Sequence, residues 1–446
     1  MSGAEDRLSS VEEAREAILA AIPGPLAEEV LPVDSALGRV LARDVAAAVT
    51  LPPWDNSAMD GYAVRAADVA AAAEAVPVRL AITGEVPAGG TADRAVEHGR
   101  AIRIATGAPL PAGADSVVPV EQTTPLDAVG TAGPRGRDAL GPLPAAILVH
   151  AAGAAGSHVR HRGSDLSAGE TILASGTALT PAAVALASGA GIARVTVRRR
   201  PHVAVLATGN EVRPAGEDLG PAGIPDANGP GLRALVETAG AVPIDLGIAP
   251  DEQADVVGRL RSALAQGADA IVVAGGVSVG PYDVVKLAFE AVGEVGLWRV
   301  KVQPGKPFAF GTAPRPDGGR ALLFGLPGNP VSSFVTFELF VRPAIRALSG
   351  RRDLFRPVDR AVLLDEVRTA TNRRAFLRVT VERDSDGAPR RDEKGRVEVH
   401  LSKGPAGQGS HVLSALASAD AFAVVPEKVE VSPAGAAVAL WWLDPA

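Results

Sequence analysis

The chain has 446 residues, of which 47% are hydrophobic and 21% charged, and it carries a net charge of −7. That length is a soft prior for about three domains rather than one, and those fractions describe a chain with a large buried core. With no Cys at all, disulfides, zinc thiolates, iron–sulfur clusters and cysteine nucleophiles are excluded, while the acidic balance disfavours nucleic acid as a general partner, because neutralising phosphates needs a basic face.

Aromatics are only 4%, so Ala, Val and Leu must fill the core. Seven His leave a His/carboxylate metal site open, but no paired-His helical spacing is present. Met1–Ser10 is polar and lacks the cationic-then-apolar order of a secretory signal. No run of roughly 18 apolar residues spans a bilayer. The expected location is the cytoplasm, with no membrane or nucleic-acid partner.

Ser10 to Ile22 reads as an amphipathic helix: Ser10 and Glu13 form a capping-box pattern, and Val11, Ala14, Ile18 and Ile22 share one stripe. From Val33 to Ala178 short apolar runs alternate with Gly and Pro, as in Ala101–Ala105, Ser116–Val120 and Ala146–Val149, which predicts a β-rich region. Within it, Ala66–Val76 reads as a surface helix and Gly130–Pro144 as an exposed loop. Arg198-Arg199-Arg200 reads as a solvated connection between strands.

The middle of the chain has another rhythm. Val203–Ala207, Pro243–Ile248, Ala270–Ala274, Leu297–Val302 and Ala321–Phe324 read as strands. Helices are expected from about Asn228, from an N-cap at Asp251 to about Gln266, from about Asp283, and from about Val331 to Leu348. Strands alternating with helices predict a doubly wound parallel sheet covered on both faces, with ligands beyond the carboxyl ends of its strands. After Arg352 the chain returns to strand alternation, from Ala361–Val367 through Phe376–Val381, Val397–Leu401 and Ala421–Val425 to Ala436–Leu440, a small β domain closed by Trp441-Trp442. The expected fold class is α/β plus β-rich regions. Residues 1–50 together with 156–180 form one region and 51–155 the β-rich domain. Residues 181–348 form the α/β domain and 352–446 the C-terminal β domain.

Five segments stand out for chemistry. Asp55 to Tyr62, behind Pro52-Pro53-Trp54, is either a Pro-anchored turn with Asx bonds or a contact to metal or phosphate. Gly275-Gly276-Val277-Ser278-Val279-Gly280 follows a strand and precedes a helix, so it reads as a tight turn or as backbone N–H groups facing an anion; it matches neither the Walker nor the dinucleotide pattern. Pro304-Gly305-Lys306-Pro307 aims one of only six lysines at a strand end. Leu326-Pro327-Gly328-Asn329-Pro330-Val331-Ser332 is turn chemistry, with Pro330 suited to a first helical turn and Asn329 to its cap. Arg373, Arg378 and Gln408-Gly409-Ser410-His411 offer donors that suit an oxyanion. Asp165, Glu211, Asp251 and Asp283 sit near strand ends or helix starts, singly as caps or together as an acidic cleft needing a cation.

In order along the chain, DNSAMDGYAV (Asp55–Val64), IRIATGAPLPAGAD (Ile102–Asp115), GGVSVGPYD (Gly275–Asp283), PGKPFAFG (Pro304–Gly311) and GLPGNPVSS (Gly325–Ser333) resemble the MoeA family, which includes the E domain of gephyrin. The resemblance runs from about Val33 to the C-terminus. It implies a homodimer whose α/β domain is similar to molybdopterin adenylyltransferase. The implied reaction inserts molybdenum from molybdate into adenylyl-molybdopterin, giving molybdenum cofactor and AMP with Mg²⁺ as cation. Molybdopterin adenylyltransferase and proteins that load molybdoenzymes are implied partners.

By motif match, catalytic roles fall on Asp60, Thr106, Asp165, Glu211, Asp251 and Lys306, and metal binding on Glu211, Asp251 and Asp283. Substrate contacts fall on Gly275, Gly276, Ser278, Gly280, Pro327, Pro330, Ser332, Arg373, Arg378 and Ser410. Many family members carry a second Lys where this chain has Gln303, and Lys301 is the candidate substitute. A tungstate-inserting paralogue and a gephyrin-like scaffold are the alternatives. The scaffold is disfavoured because no further N-terminal domain or long linker is seen, and an adenylyltransferase would need the α/β domain alone.

Overall fold

The computed structural model describes residues 8–136, 141–277 and 284–443. The capping box forms as the sequence spells it: the Ser10 hydroxyl accepts from the Glu13 N–H at 3.1 Å, and the Glu13 carboxylate accepts from the Ser10 N–H at 2.8 Å. The helix Val11–Ala20 then turns Val11, Ala14 and Ile18 into the core of the α/β unit. Beyond it, Glu28–Pro32 pairs antiparallel with Arg194–Arg198, and Val45–Ala46 with Thr171–Leu173. The helix Pro181–Gly189 packs into this same small unit through Ala183 and Ala187, against Leu41, Val195 and Val197. An α/β boundary at 181 is therefore too early. The sheet of that unit starts at His202, because the apolar face of the helix is covered by the N-terminal strands.

The β-rich unit is a six-stranded sheet in the order Ser116–Pro119, Gly61–Val64, Arg100–Ile104, Val78–Val86, Ala146–Val149, Thr123–Leu126. Only Val78–Val86 and Arg100–Ile104 run parallel. The expected helix over Ala66–Val76 shrinks to Ala66–Val69. Its first N–H is held by the Asp115 carboxylate at 2.6 Å. Ala73 and Val76 then exchange backbone hydrogen bonds in a tight turn that feeds the strand from Val78 and ends the helix.

The α/β sheet runs in the order Val242–Ala249, His202–Thr208, Ala270–Ala274, Arg320–Leu326, Pro307–Pro314, Glu294–Arg299. The first four strands are parallel, and two antiparallel strands extend the edge. Ala270–Ala274 is buried at every position, as a strand covered on both faces must be, and distinct apolar clusters lie on the two faces. The strand Pro307–Pro314 has no counterpart in the sequence reading. Prolines at both ends conceal it, and its buried core does not alternate. Leu297–Val302 also divides: Glu294–Arg299 stays in this sheet, whereas Val302–Gln303 pairs with Arg374-Ala375 of the last unit. Asp251 is not the expected N-cap, because Glu252 occupies that position before Gln253–Ala265. Asn329 does hold the N-cap position of Pro330–Thr336, but without a side-chain bond.

The last unit is a closed barrel. Arg374–Val381, Val397–Leu401, Val358–Leu363, Ala437–Trp442 and Ala421–Val425 pair in turn, and the last returns to the first. Closure removes sheet edges. Phe334 of the α/β unit meets Phe422 of the barrel edge-on at 6.2 Å, so the two units share a core.

The run Arg198-Arg199-Arg200 is not a solvated connection. Arg199 forks onto both oxygens of Asp269, at 3.0 and 2.8 Å, and Arg200 donates to the Gly240 and Ala241 carbonyls. Partners remote in sequence turn a charge run into a structural staple. Among the described residues, no helix is long and apolar enough to cross a membrane.

Candidate functional site

Each parallel strand of the α/β sheet delivers residues from its carboxyl end into one cleft of about 810 Å³. His202–Thr208 leads to Thr208, Gly209 and Glu211, and Val242–Ala249 leads to Asp251. Ala270–Ala274 leads to Gly275 and Gly276, and Arg320–Leu326 to Gly328, Asn329 and Pro330. Gly275 takes φ +98°, and a Cβ there would lie 2.4 Å from the Thr208 carbonyl oxygen. Only glycine lets the two strand ends approach this closely. Glu211 and Asp251 are tied through Asn210, whose N–H donates to the Asp251 carboxylate at 3.3 Å and whose side-chain oxygen accepts from the Asp251 N–H at 3.2 Å. Ser278, Gly280 and Asp283 lie outside the described residues.

Two lining groups escaped the sequence reading, and a third was expected among oxyanion donors rather than in this cleft. Asp226 accepts from the Gly229 N–H at 2.9 Å, and Asn228 donates to the Gly328 carbonyl at 2.8 Å. A short parallel pairing of Val212–Arg213 with Ile224–Pro225 carries Asp226 beside Glu211. The one available signal was an Asp three residues before a helical N–H, inside a loop that reads only as a connection. The third, His411, reaches the cleft from the C-terminal barrel.

Other candidate residues are placed elsewhere. Asp60 and Thr106 meet: one carboxylate oxygen accepts from the Thr106 N–H at 2.7 Å and from its hydroxyl at 2.9 Å. That fixes an exposed carboxylate on the β-rich unit, away from the cleft lining. Asp165 is exposed, held by its backbone N–H to the Leu51 carbonyl. Pro327 and Ser332 are buried beneath the cleft wall rather than lining it.

The candidate oxyanion donors Arg373, Arg378 and Ser410, and Lys306 with them, do not line one common cavity. Arg378 is 1% exposed and borders a separate cavity of about 330 Å³ with Gln303, Pro304, Glu366, Arg368 and Gln408. Its Nη2 donates to the Gly407 and Gly409 carbonyls, while its buried Nε has no partner among the described residues. Burial pushes this guanidinium down to about 10. Lys306 is half-buried just before Pro307–Pro314, Arg373 is half-buried beside a turn at Asn372, and neither lines a cavity named here. Ser410 accepts from the Val331 N–H at 3.3 Å, which seats the barrel loop on the start of Pro330–Thr336. Gln303 accepts from the Ala370 N–H at 2.8 Å, so its side chain serves as a bridge to the barrel.

In comparisons with known proteins, residues 9–191 match the MoeA N-terminal region (domain I and II), 204–347 a probable molybdopterin binding domain, and 360–443 the MoeA C-terminal region (domain IV). Molybdopterin molybdenumtransferase 2 of Mycobacterium tuberculosis is 37% identical over 418 residues, covering 92% of this chain and 94% of that one. Molybdopterin molybdenumtransferase of Haemophilus influenzae is 33% identical over 419 residues, covering 94% and 95%. Among solved structures, the molybdopterin biosynthesis MoeA protein of Pyrococcus horikoshii superposes with a TM-score of 0.74 at 30% identity, covering 99% of this chain and 100% of that one.

Proposed function

The chain belongs to the MoeA family, and on that premise we propose that it is a molybdopterin molybdenumtransferase. It inserts molybdenum from molybdate into adenylyl-molybdopterin, forming molybdenum cofactor and releasing AMP as the phosphoanhydride bond breaks. The observation that carries this reading is the cleft at the strand ends, where a glycine turn faces the carboxylates of Glu211 and Asp251. Backbone N–H groups of such a turn suit phosphate oxygens.

The carboxylates also suit Mg²⁺, which is commonly held by one or two carboxylates together with substrate phosphates. When bound, Mg²⁺ offsets phosphate charge and polarises the anhydride. Glu211 and Asp251 would hold it, with Asp283 a further ligand by motif. Asn210 fixes the Asp251 carboxylate through its N–H. Glu211→Ala should raise the Mg²⁺ concentration needed for half-maximal AMP release while leaving the fold intact. An unchanged Mg²⁺ titration in that variant overturns the metal role.

Molybdate is the second substrate. The buried Arg378, whose Nε has no hydrogen-bond partner and which pairs with no carboxylate among the described residues, borders a small cavity and supports an oxyanion subsite there. Lys306, a few residues beyond Gln303 and Pro304 on that cavity's wall, would add charge at its approach. Lys306→Met should then raise the molybdate concentration for half-saturation by roughly tenfold or more, the scale of a lost charge-assisted contact of about 1.5–3 kcal/mol. A change confined to pterin affinity would instead move Lys306 to the pterin side.

The working form is a cytoplasmic homodimer, in which Asp60 and Thr106 of one protomer complete the cleft of its partner. The placement of that pair away from its own chain's cleft supports this arrangement. The reaction itself is tested by incubating the protein with adenylyl-molybdopterin, molybdate and Mg²⁺. AMP release dependent on molybdate is the expected result, and no AMP from folded protein overturns the assignment.

A further inference from the structure

We infer that His411 contacts the substrate, donating a ring N–H to a phosphate oxygen of the adenylylated pterin. The inference rests on the reaction proposed above and adds a residue to it. The described lining of the cleft contains the carboxylates of Glu211, Asp226 and Asp251, but no Lys and no Arg. Mg²⁺ on Glu211 and Asp251 would offset two of these charges, but an anionic substrate still meets Asp226 and no cationic side chain of the described lining, which is unfavourable at a few ångströms. His411 is the one described lining side chain able to carry positive charge, and even when neutral it keeps one ring N–H donor.

Its placement is built rather than incidental. Arg378 lies behind the loop and holds the Gly407 and Gly409 carbonyls at 2.8 and 3.1 Å. Gln408 is stitched to the same strand in both directions, accepting from the Arg378 N–H at 2.9 Å and donating to the Arg378 carbonyl at 3.0 Å. On the other side the Ser410 carbonyl accepts from the Val331 N–H. The loop is thus pinned to the barrel and to the α/β unit at once, and the residue that follows projects into the cleft. The ring lies against Gly409, where an added Cβ would stand 2.9 Å from His411 Cε1, so the absent side chain leaves room for the imidazole. A solvated loop histidine requires none of this. A group that must meet a reacting phosphate requires its supports to be held in this way.

The test uses three full-length variants and the AMP-release assay, with folding checked by the thermal midpoint. His411→Leu keeps bulk and removes the donor, and should raise KM for adenylyl-molybdopterin by roughly tenfold, the effect of losing a charge-assisted hydrogen bond. Its KM for molybdate should stay unchanged. His411→Arg restores a donor and a charge, and should return KM to near the wild-type value; Gly409→Ala, which crowds the ring, should reproduce the His411→Leu defect. A His411→Leu enzyme with wild-type KM overturns the inference, as does equal impairment of His411→Leu and His411→Arg, which would make shape the requirement. Wild-type protein that releases no AMP overturns the reaction itself. That outcome is distinct from an active wild type with unaffected variants, which removes only His411 from the site.

Discussion

At a Mg²⁺ concentration that just saturates the wild type, Asp60→Ala and Glu211→Ala homodimers should each be nearly inactive, and mixing and reassociating them should restore activity. Asp60 is held by Thr106 on the β-rich unit, whereas Glu211 lines the cleft of the α/β unit. If a two-fold dimer brings one unit of each chain to the other unit of its partner, every composite site draws one residue from each protomer. A heterodimer then holds one intact site and one doubly damaged site. Random reassociation makes about half the dimers mixed, which gives roughly a quarter of wild-type activity under that symmetry. Isolating the mixed species with two affinity tags raises the expected value to about half of wild type. A purified heterodimer as inactive as its parents would mean that each site is built within one chain.

Asp269→Ala should destabilise the α/β unit by about 3–5 kcal/mol, the cost of removing one partner from a buried ion pair. Asp269 is 2% exposed and accepts from Arg199, from Arg315 at 2.5 Å, and from the His202 N–H at 2.8 Å. Removing the carboxylate takes away the anion that Arg199 and Arg315 share, leaving Arg315 with Asp317 alone and Arg199 facing a second guanidinium. The cluster sits where the strands His202–Thr208 and Ala270–Ala274 begin, at the opposite end of the sheet from the cleft. Activity per folded molecule should therefore persist. The measurement is a urea unfolding midpoint followed alongside AMP release. A midpoint equal to wild type would show that the two arginines find other partners or water at no cost.

Both predictions turn on residues whose meaning is invisible locally. Arg199 and Asp269 are 70 positions apart, so the arginine run carries no mark of its partner, and a charge run without one reads as solvated surface. The strand Pro307–Pro314 was hidden for a related reason: prolines bracket it, and a strand buried on both faces loses the alternation by which strands are recognised. Gln303, read only as standing where many family members carry a second lysine, accepts from the Ala370 N–H, a contact that exists only once the barrel docks.

What the sequence determined by itself was whatever is encoded over a few consecutive residues. The capping box at Ser10 and Glu13, the glycine turn at Gly275-Gly276, the turn from Pro327 to Pro330 and the alternation of strands with helices depend on local dihedral preferences and short-range hydrogen bonds. The tertiary structure decided which of those segments meet. It gathered Glu211, Asp251 and the glycine turn into one cleft, added Asp226 and His411 to it, and kept Asp60 with Thr106 on another unit. It also set Arg378 in the lining of a second cavity, which Lys306 and Arg373 do not line. The physical reason is that a cleft at the ends of parallel strands is assembled by sheet register and by docking of the barrel. Both are set by packing between residues far apart in the chain, and no local pattern records them.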